Sequence, residues 1–452
     1  MKNSTMNMTE GGITGLLIRF SIPMLMGNLF QQLYNIVDSI IVGKLVGADA
    51  LAAVGVTGPM GFFFFALCNG IGAGGGIVTS QSFGSGDTKN VKSCITNVGY
   101  IMIAFPFVVG IAAFFLSGPL LRLLDTPSDI FPEAFIYLRI TCIGLVFVSV
   151  YNYISSMLRA LGDSKTPLYF LIFSCILNIF LDLLFVKTFG MGVFGAGVAT
   201  LISQFISGAA CIVFAFRTNE YFRLSKADMK VNPEVIRRSV KIGVPLSLQF
   251  SLIAISTMAL QRVVNTFGAV AVAAFTATSR VEQLIHQPYQ TLSAALSTFS
   301  GQNFGARKMD RLLKGYRKGM KLMVIFTVLM LLVMQIFPKQ ITSIFINEPE
   351  VIEMGAMSLK ITSWFYFFLG LIYTVRGVLN GVGDSFFALY NGIIEVIGRF
   401  TFPILMTMIP FFGVWGIWWS VGVVWLLSGV TAWGRYLGFR RKTLKMIETP
   451  QE

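Results

Sequence analysis

Four carboxylates interrupt long apolar stretches of the sequence: Asp38, Asp182, Glu282 and Glu395. If those stretches cross a bilayer as helices, a carboxylate near the helix centre costs about 2.5–3.5 kcal/mol on insertion scales. Such groups are rare in membrane helices, and where they occur they commonly bind ions, relay protons or pair with a cation. These four side chains are therefore the first candidates for the chemistry of the chain.

Asp38 and Asp182 are predicted to lie at one depth. Each is about five to seven residues inside the outer end of its helix, or ~7–10 Å at 1.5 Å per residue. Asn178 lies one turn from Asp182 on the same face, and Thr200 on the next helix reaches a similar depth. Two close carboxyls can share a proton rather than both ionise, whereas oxygen ligands of this kind can also hold Na⁺. The spacing leaves both open, together with a structural alternative in which Asp38 caps or hydrogen-bonds a broken helix near Gly43 and Asp182 reaches the nearby interface.

The remaining candidates also have structural alternatives. Glu282 is predicted near mid-depth with His286, the only histidine, one turn further on. In one alternative the two side chains satisfy each other's hydrogen-bonding groups. In the other they line a cavity that contacts substrate, for which Tyr34 is a further candidate. Glu395 and Arg399 have the i, i+4 spacing of a pair that neutralises itself within a helix bundle.

The composition excludes a water-soluble globular protein. The 452 residues are 55% hydrophobic and 12% charged, with a mean hydropathy of +0.73, whereas soluble domains carry about 25% charged residues. Dividing the chain at charge clusters and Gly/Pro-containing links predicts twelve membrane-spanning helices. They are predicted at residues 15–43, 51–81, 94–117, 131–157, 167–189, 193–216, 238–266, 270–299, 318–337, 354–380, 386–409 and 413–436.

The distribution of cations predicts the orientation of these helices. The formal charge is +14, but the Lys and Arg residues lie in short links rather than on one continuous surface, which argues against a nucleic-acid partner. Links on one side are rich in Lys and Arg, whereas those on the other side hold only Lys44, Arg122, Lys187 and Lys339. The positive-inside rule therefore places both termini in the cytoplasm. The five cysteines lack the spacing of a zinc site or a disulfide framework.

An internal repeat relates the two halves of the chain. QSFG at 81–84 and QNFG at 302–305 are 221 residues apart, and the same offset relates LGDS at 161–164 to VGDS at 382–385. A fixed offset of this kind indicates duplication of a six-helix unit, with a pseudo-two-fold axis along the membrane normal. We expect an all-α membrane protein with an N-lobe at 1–216, a basic cytoplasmic linker at 217–237, a C-lobe at 238–436 and a cytoplasmic tail at 437–452.

The chain resembles the multidrug and toxic compound extrusion (MATE) transporters along essentially its whole length. The resemblance rests on VDSIIVGKLVGADALAAVG at 37–55, QSFGSGD at 81–87, RALGDSKTP at 159–167 and QNFGA at 302–306. It implies two six-helix lobes and alternating access, with export of amphipathic organic cations against an inward flow of H⁺ or Na⁺. It also implies a cation site in the N-lobe formed by the residues at positions Asp38, Asn178, Asp182 and Thr200.

The resemblance further implies a monomeric multi-pass protein of the cell membrane that has no cofactor and is not an enzyme. The main alternative is a flippase of the MOP type for lipid-linked saccharides or peptidoglycan precursors. That activity needs a basic cavity for pyrophosphate, whereas the N-lobe cluster is acidic. An intramembrane transferase would need a DDxxD-like metal site or a His/Ser/Asp set, which a single histidine without a neighbouring nucleophile does not supply.

Overall fold

The computed structural model describes residues 5–448, and all of its regular secondary structure in this range is helical. Each of the twelve predicted segments forms helix. In chain order the helices are α1 Ile13–Leu45, α2 Ala48–Gly84, α3 Thr88–Leu123, α4 Phe131–Ala160, α5 Lys165–Asp182, α6 Gly192–Thr218, α7 Pro233–Asn265, α8 Gly268–Gly305, α9 Met309–Ile336, α10 Pro338–Ser343, α11 Pro349–Ser363, α12 Tyr366–Gly381, α13 Ser385–Met408 and α14 Gly416–Glu448.

The lengths and composition of these helices are those of an all-α membrane protein. Among the described residues, nine helical segments are long and apolar enough to cross a bilayer, and α11 with α12 makes a tenth span bent by 52°. The two long helices outside that set, α8 and α13, carry Glu282 with His286 and Glu395 with Arg399. These charged and polar residues contribute to the lower hydropathy of the two helices.

The described residues divide into two compact units. Unit 1 comprises residues 5–7 and 22–251, and unit 2 comprises residues 8–21 and 252–448. Two helices, α1 and α7, therefore contribute to both units. The predicted linker, 217–237, falls wholly in unit 1, and the unit boundary lies inside α7.

Close backbone packing in unit 1 depends on the glycines of α2. A side-chain carbon on Gly70 would overlap the backbone of Ser247, and one on Gly74 would lie 2.5 Å from the backbone nitrogen of Gly243. The Ser247 hydroxyl donates to the carbonyl of Leu67 at 2.6 Å. Small residues at such spacing let helix backbones approach closely, so the first half of α7 is held against α2.

The segment before α7 is bound to α3 by side-chain to backbone hydrogen bonds. Asn97 donates to the carbonyl of Lys230 at 3.2 Å and accepts from the amide of Asn232 at 2.7 Å. The Tyr100 hydroxyl donates to the carbonyl of Met229 at 2.8 Å. Because these bonds satisfy backbone groups outside any helix, the basic linker is a fixed part of unit 1.

The segment before α1 is fixed in the same manner in unit 2. Met8 has no exposed surface, and its amide donates to the Gln302 side chain at 2.8 Å. The Arg311 guanidinium donates to the carbonyls of Met8 at 3.2 Å, Glu10 at 2.7 Å and Gly11 at 2.8 Å. A single arginine on α9 thus binds three carbonyl groups within four residues of the N-terminal segment.

Replacing Arg311 with alanine is expected to loosen this segment. Hydrogen bonds to charged groups contribute about 1.5–3 kcal/mol each, so amide exchange in a peptide that contains residues 8–21 should become at least about tenfold faster. Hydrogen–deuterium exchange measured by mass spectrometry tests this. Lys314→Ala removes an exposed cation three residues away and should leave the exchange rate unchanged. Equal exchange rates in Arg311→Ala and the wild type would contradict the assigned role.

Candidate functional site

The structure brings Asp38 and Asp182 together inside unit 1. Asp38 is half-buried in the second half of α1, and Asp182 is the fully buried last residue of α5. Their carboxyl groups lie within hydrogen-bonding reach of each other. One buried oxygen of each carboxyl, Oδ1, has no hydrogen-bond partner within residues 5–448. The pair therefore has acceptor capacity that the protein itself does not use.

Three further side chains surround this pair. The Asn178 amide faces an acceptor-only carboxylate, so we orient its nitrogen toward Asp182. In that orientation Nδ2 donates to Asp182 Oδ2 at 2.9 Å, and Oδ1 accepts from the Thr200 amide at 3.1 Å and from its hydroxyl at 3.3 Å. The Tyr34 hydroxyl lies 3.2 Å from the Thr200 hydroxyl. Tyr34, expected only as a substrate contact, is thus bonded to a member of the carboxyl cluster.

The backbone changes its winding at this point. Directly after Asp182 the chain forms a six-residue π-helical turn, Leu183–Thr188. Such turns are rare and occur frequently at functional sites, where they widen the helix locally. The regular winding of α5 therefore ends at Asp182, which belongs to the carboxyl pair. The residues of the turn follow a different helical register from that of α5.

Sequence reasoning missed Tyr137 on α4. Its hydroxyl is close enough to Asp38 and Asp182 to interact electrostatically with both. Tyr137 lies six residues into α4, which corresponds to a depth of ~9 Å. The helical rise therefore places this tyrosine at the same depth as the two aspartates, and this position in α4 is the signal that identifies it.

The cluster suits either a shared proton or an oxygen-coordinated cation. Two adjacent carboxyls in a buried setting favour sharing of a proton, because two like charges at contact distance repel. The orphaned Oδ1 atoms, with the oxygens of Asn178, Thr200 and Tyr34, also offer the ligand type that Na⁺ takes. Within the described residues no group of three His, Cys, Asp or Glu side chains could hold a metal ion. A Na⁺ site here would accordingly need neutral oxygens in addition to the two carboxylates.

A second polar cluster lies in unit 2, and it differs from the sequence expectation. Glu395 was expected to be neutralised by Arg399, but its short ion pair is with Arg376 of α12, and Arg399 is 4.0 Å from its other oxygen. Arg376 also donates to Asn391 Oδ1 at 2.6 Å, and Asn391 donates to the carbonyl of Ser428 at 2.9 Å. The i, i+4 spacing therefore predicted the weaker contact of Glu395, with Arg399, and did not predict its principal partner, Arg376.

Glu282 and His286 lie near this cluster on α8. Glu282 Oε1 and His286 Nε2 are buried atoms that lack a hydrogen-bond partner among the described residues. The His286 ring packs edge-on against Tyr373 at 6.1 Å and Trp425 at 5.8 Å between centroids. A carboxylate with one unpartnered oxygen, one helical turn from a histidine that packs against aromatic rings, has the chemistry of a receptor for organic cations.

The fold and these sites define a polytopic helical membrane protein. Ionisable groups inside a membrane helix bundle are typical of transporters. The MatE family model matches residues 23–184 and 245–404. The chain belongs to this family of multidrug and toxic compound extrusion transporters, and it is accordingly a transporter and not an enzyme.

Relatives and solved structures agree with that assignment. The chain is 31% identical to the probable multidrug resistance protein YpnP of Bacillus subtilis over 97% of this chain and 98% of that one. It is 28% identical to the probable multidrug resistance protein NorM of Thermotoga maritima, over 89% and 87%. Its fold is similar to that of an outward-facing multidrug resistance MATE family transporter, with a TM-score of 0.89 at 22% identity over 99% and 100% of the two chains.

One similar structure is described in different functional terms. A MOP superfamily transporter from Pyrococcus furiosus has a TM-score of 0.90 at 22% identity, over 99% of this chain and all of that one. Its binding pocket is described as having reverse polarity, which suggests a different function for that protein. At this level of identity the comparison establishes the shared fold alone.

Proposed function

We propose that the protein is a secondary active antiporter that exports amphipathic organic cations in exchange for H⁺ or Na⁺ by alternating access. The observation that carries this proposal is the adjacent carboxyl pair of Asp38 and Asp182, whose buried Oδ1 atoms have no partner in the described chain. Because a carboxyl pair inside a membrane bundle is energetically costly, we expect it to serve ion or proton binding. The proposed location is the cell membrane, with both termini in the cytoplasm.

Binding of the coupled ion would change the charge of the unit 1 cluster and so favour one conformation of the transporter over another. Such coupling requires only that the ion has different affinities for the two conformations. Each net elementary charge that moves inward through 100 mV supplies about 2.3 kcal/mol. Exchange of one H⁺ or Na⁺ for one exported monocation moves no net charge, so the concentration gradient of the ion alone drives it. A second inward ion per cycle would add the contribution of the membrane potential.

The proposed contacts for the organic cation in unit 2 are Glu282 and His286, and Tyr34 is a separate candidate contact in unit 1. Glu282 supplies negative charge, while His286 packs with Tyr373 and Trp425 and presents flat ring surfaces. Relatives named as multidrug resistance proteins support a substrate class defined by charge and aromatic character rather than by one exact shape. Aromatic faces with one carboxylate suit that breadth, because cation–π contacts are tolerant of ligand shape.

The flippase for pyrophosphate-linked lipids remains the second candidate. The observation in its favour is the presence of Arg376 and Arg399 inside unit 2, where a basic cavity would be needed. Arg376 is directly paired with Glu395, however, so only one of the two guanidinium groups is free of a short ion pair. A single unpaired guanidinium provides little positive charge for binding a pyrophosphate. The pair Asp38 and Asp182, by contrast, provides two carboxyl groups for binding a coupled cation.

Reconstituted protein distinguishes the two functions. Proteoliposomes would be loaded with ethidium, and dye movement would be followed under an imposed pH gradient and, separately, under an imposed Na⁺ gradient. We expect one of the two to accelerate ethidium movement over protein-free vesicles, and collapse of that gradient by an ionophore to abolish the effect. If neither gradient moves any organic cation tested, antiport is wrong and the flippase becomes the better candidate.

A further inference from the structure

The guanidinium of Arg139 on α4 is held by two phenylalanine rings. Its central carbon lies 4.0 Å from the ring centroid of Phe135, one turn earlier on α4, and 4.5 Å from that of Phe114 on α3. The Phe131 ring, a further turn back, stacks on Phe135 with the centroids 6.1 Å apart. Both contacts of the guanidinium are inside the ~6 Å range of cation–π attraction, so the rings fix this cation between α3 and α4.

A glycine on α3 provides the space for this arrangement. A side-chain carbon on Gly118, one turn after Phe114, would lie 3.3 Å from the Phe135 ring. That separation is shorter than the optimal distance between two carbon atoms. A larger residue at position 118 would therefore displace Phe135, which is one of the two rings that hold Arg139.

The charge of Arg139 has no anionic partner in the described chain. None of the ion pairs found within residues 5–448 involves Arg139, and its buried Nε has no hydrogen-bond partner there. Glu133, the one acid of α4, is six residues away and lies on a different face of the helix. Aromatic faces attract the charge, but they are not acceptors for the N–H groups along the edge of the guanidinium. Arg139 therefore offers an anion both a charge and unused donors.

The exposed residues around Arg139 place it on the outer side of unit 1. Ile136 and Ile143 are exposed, and they lie three residues before and four residues after Arg139 on the same face of α4. Phe115 of α3 is exposed as well. Tyr137, which interacts with the carboxyl pair, is two residues from Arg139 and thus about 200° away around the helix. The apolar surface beside Arg139 therefore faces away from the carboxyl pair and toward lipid.

The guanidinium lies at the depth of the lipid headgroups. The 30 residues of α4 correspond to about 45 Å of helix, which exceeds a ~30 Å hydrocarbon core by roughly 7 Å at each end. Side chains of a helix point back toward its N-terminus, and Arg139 accordingly contacts Phe135, the fifth residue of α4. The guanidinium is therefore about 6 Å from the start of α4, at the boundary between the hydrocarbon core and the phosphate groups.

We propose that Arg139, Phe114 and Phe135 form a binding site for the phosphate group of an anionic phospholipid, whose acyl chains lie along the exposed apolar faces of α3 and α4. The phosphate oxygens accept hydrogen bonds from the edge of the guanidinium, a geometry that suits the planar arginine side chain. The rings hold the guanidinium in one orientation, which lowers the entropic cost of binding. The site is on the opposite side of α4 from the carboxyl pair, and it does not depend on the proposed function.

Native mass spectrometry of the full chain in detergent tests this site, with phosphatidylglycerol as the probe. We expect one phosphatidylglycerol to bind the wild type at least about tenfold more tightly than it binds Arg139→Gln, because the variant loses a charge-assisted contact with the phosphate. Arg122→Gln removes an exposed cation from the last turn of α3, and its affinity should stay within about twofold of the wild type. Equal affinities in the wild type and a folded Arg139→Gln would overturn the proposal.

Two further probes identify the ligand. Diacylglycerol with the same acyl chains lacks the phosphate, and it should bind the wild type at least about tenfold more weakly than phosphatidylglycerol does. A large excess of inorganic phosphate should not displace the phospholipid, because the acyl chains add apolar contacts that free phosphate cannot make. Displacement would assign the site to a soluble phosphate and overturn the lipid. If Arg139→Gln does not elute as a folded monodisperse protein, the diacylglycerol comparison decides, because equal binding of the two lipids by the wild type would overturn the proposal.

Discussion

Replacing Asp182 with asparagine is expected to lower the initial rate of gradient-driven efflux at least about tenfold, because the coupled ion loses one of its two carboxyl ligands. The protein should remain folded, since the change removes a buried ionisable group and keeps the shape of the side chain. Asp38→Asn should have the same effect. Because the two acids act as a unit, the double variant should lose little more than either single variant.

The assay is ethidium efflux from proteoliposomes under whichever gradient drives the wild type, with equal amounts of monodisperse protein. Asp49→Asn is the matched control, since Asp49 is an exposed acid in the first turn of α2 and its loss should leave the rate within about twofold. Wild-type rates in both Asp38→Asn and Asp182→Asn would remove the carboxyl pair from the mechanism.

Replacing Arg376 with alanine is expected to destabilise the protein by about 3–5 kcal/mol, the cost of leaving one member of a buried ion pair without its partner. Glu395 would lose its principal cation, and Asn391 would lose a donor at 2.6 Å. The midpoint of thermal unfolding in detergent, followed by near-UV circular dichroism, reports the loss.

Two variants show whether this cost comes from burial. Arg376→Met combined with Glu395→Met removes both charges and should recover most of the lost stability. Arg435→Ala removes a partner of Asp384 from a bond of 2.6 Å whose side chains are 49% and 23% exposed, and it should cost less than about 1 kcal/mol. Equal losses in Arg376→Ala and Arg435→Ala would mean that the Arg376 pair is not a buried structural contact.

Hydropathy was sufficient to place the helices, because in a bilayer an apolar run of the right length must satisfy its backbone internally as helix. It was not sufficient to place their ends. Residues 437–448 continue α14 beyond the predicted span, since helix does not stop where apolar residues do. The break between α11 and α12, at Trp364 and Phe365, has no proline or glycine to mark it. Proline usually kinks or breaks a helix, yet Pro23 and Pro245 lie inside uninterrupted helices.

The two clusters differ in how much the sequence revealed. Asp38 and Asp182 could be grouped by counting residues from helix ends, since depth follows directly from helical rise. Arg376 could not be found in this way, because it lies five residues before the end of α12, where an arginine normally reaches the interface. Only the packing of α12 against α13 shows that its guanidinium turns inward to Glu395. Long-range partners of this kind leave no periodic signal in the chain.

The enclosed N-terminal segment has a practical consequence for handling the protein. Met8 is completely covered, and the next few carbonyls are occupied by Arg311. An affinity tag or label inserted between residues 8 and 11 would displace these contacts in unit 2. Met446 and Ile447, near the end of α14, are exposed. A label at that part of α14 should therefore disturb the fold less than one placed at residues 8–11.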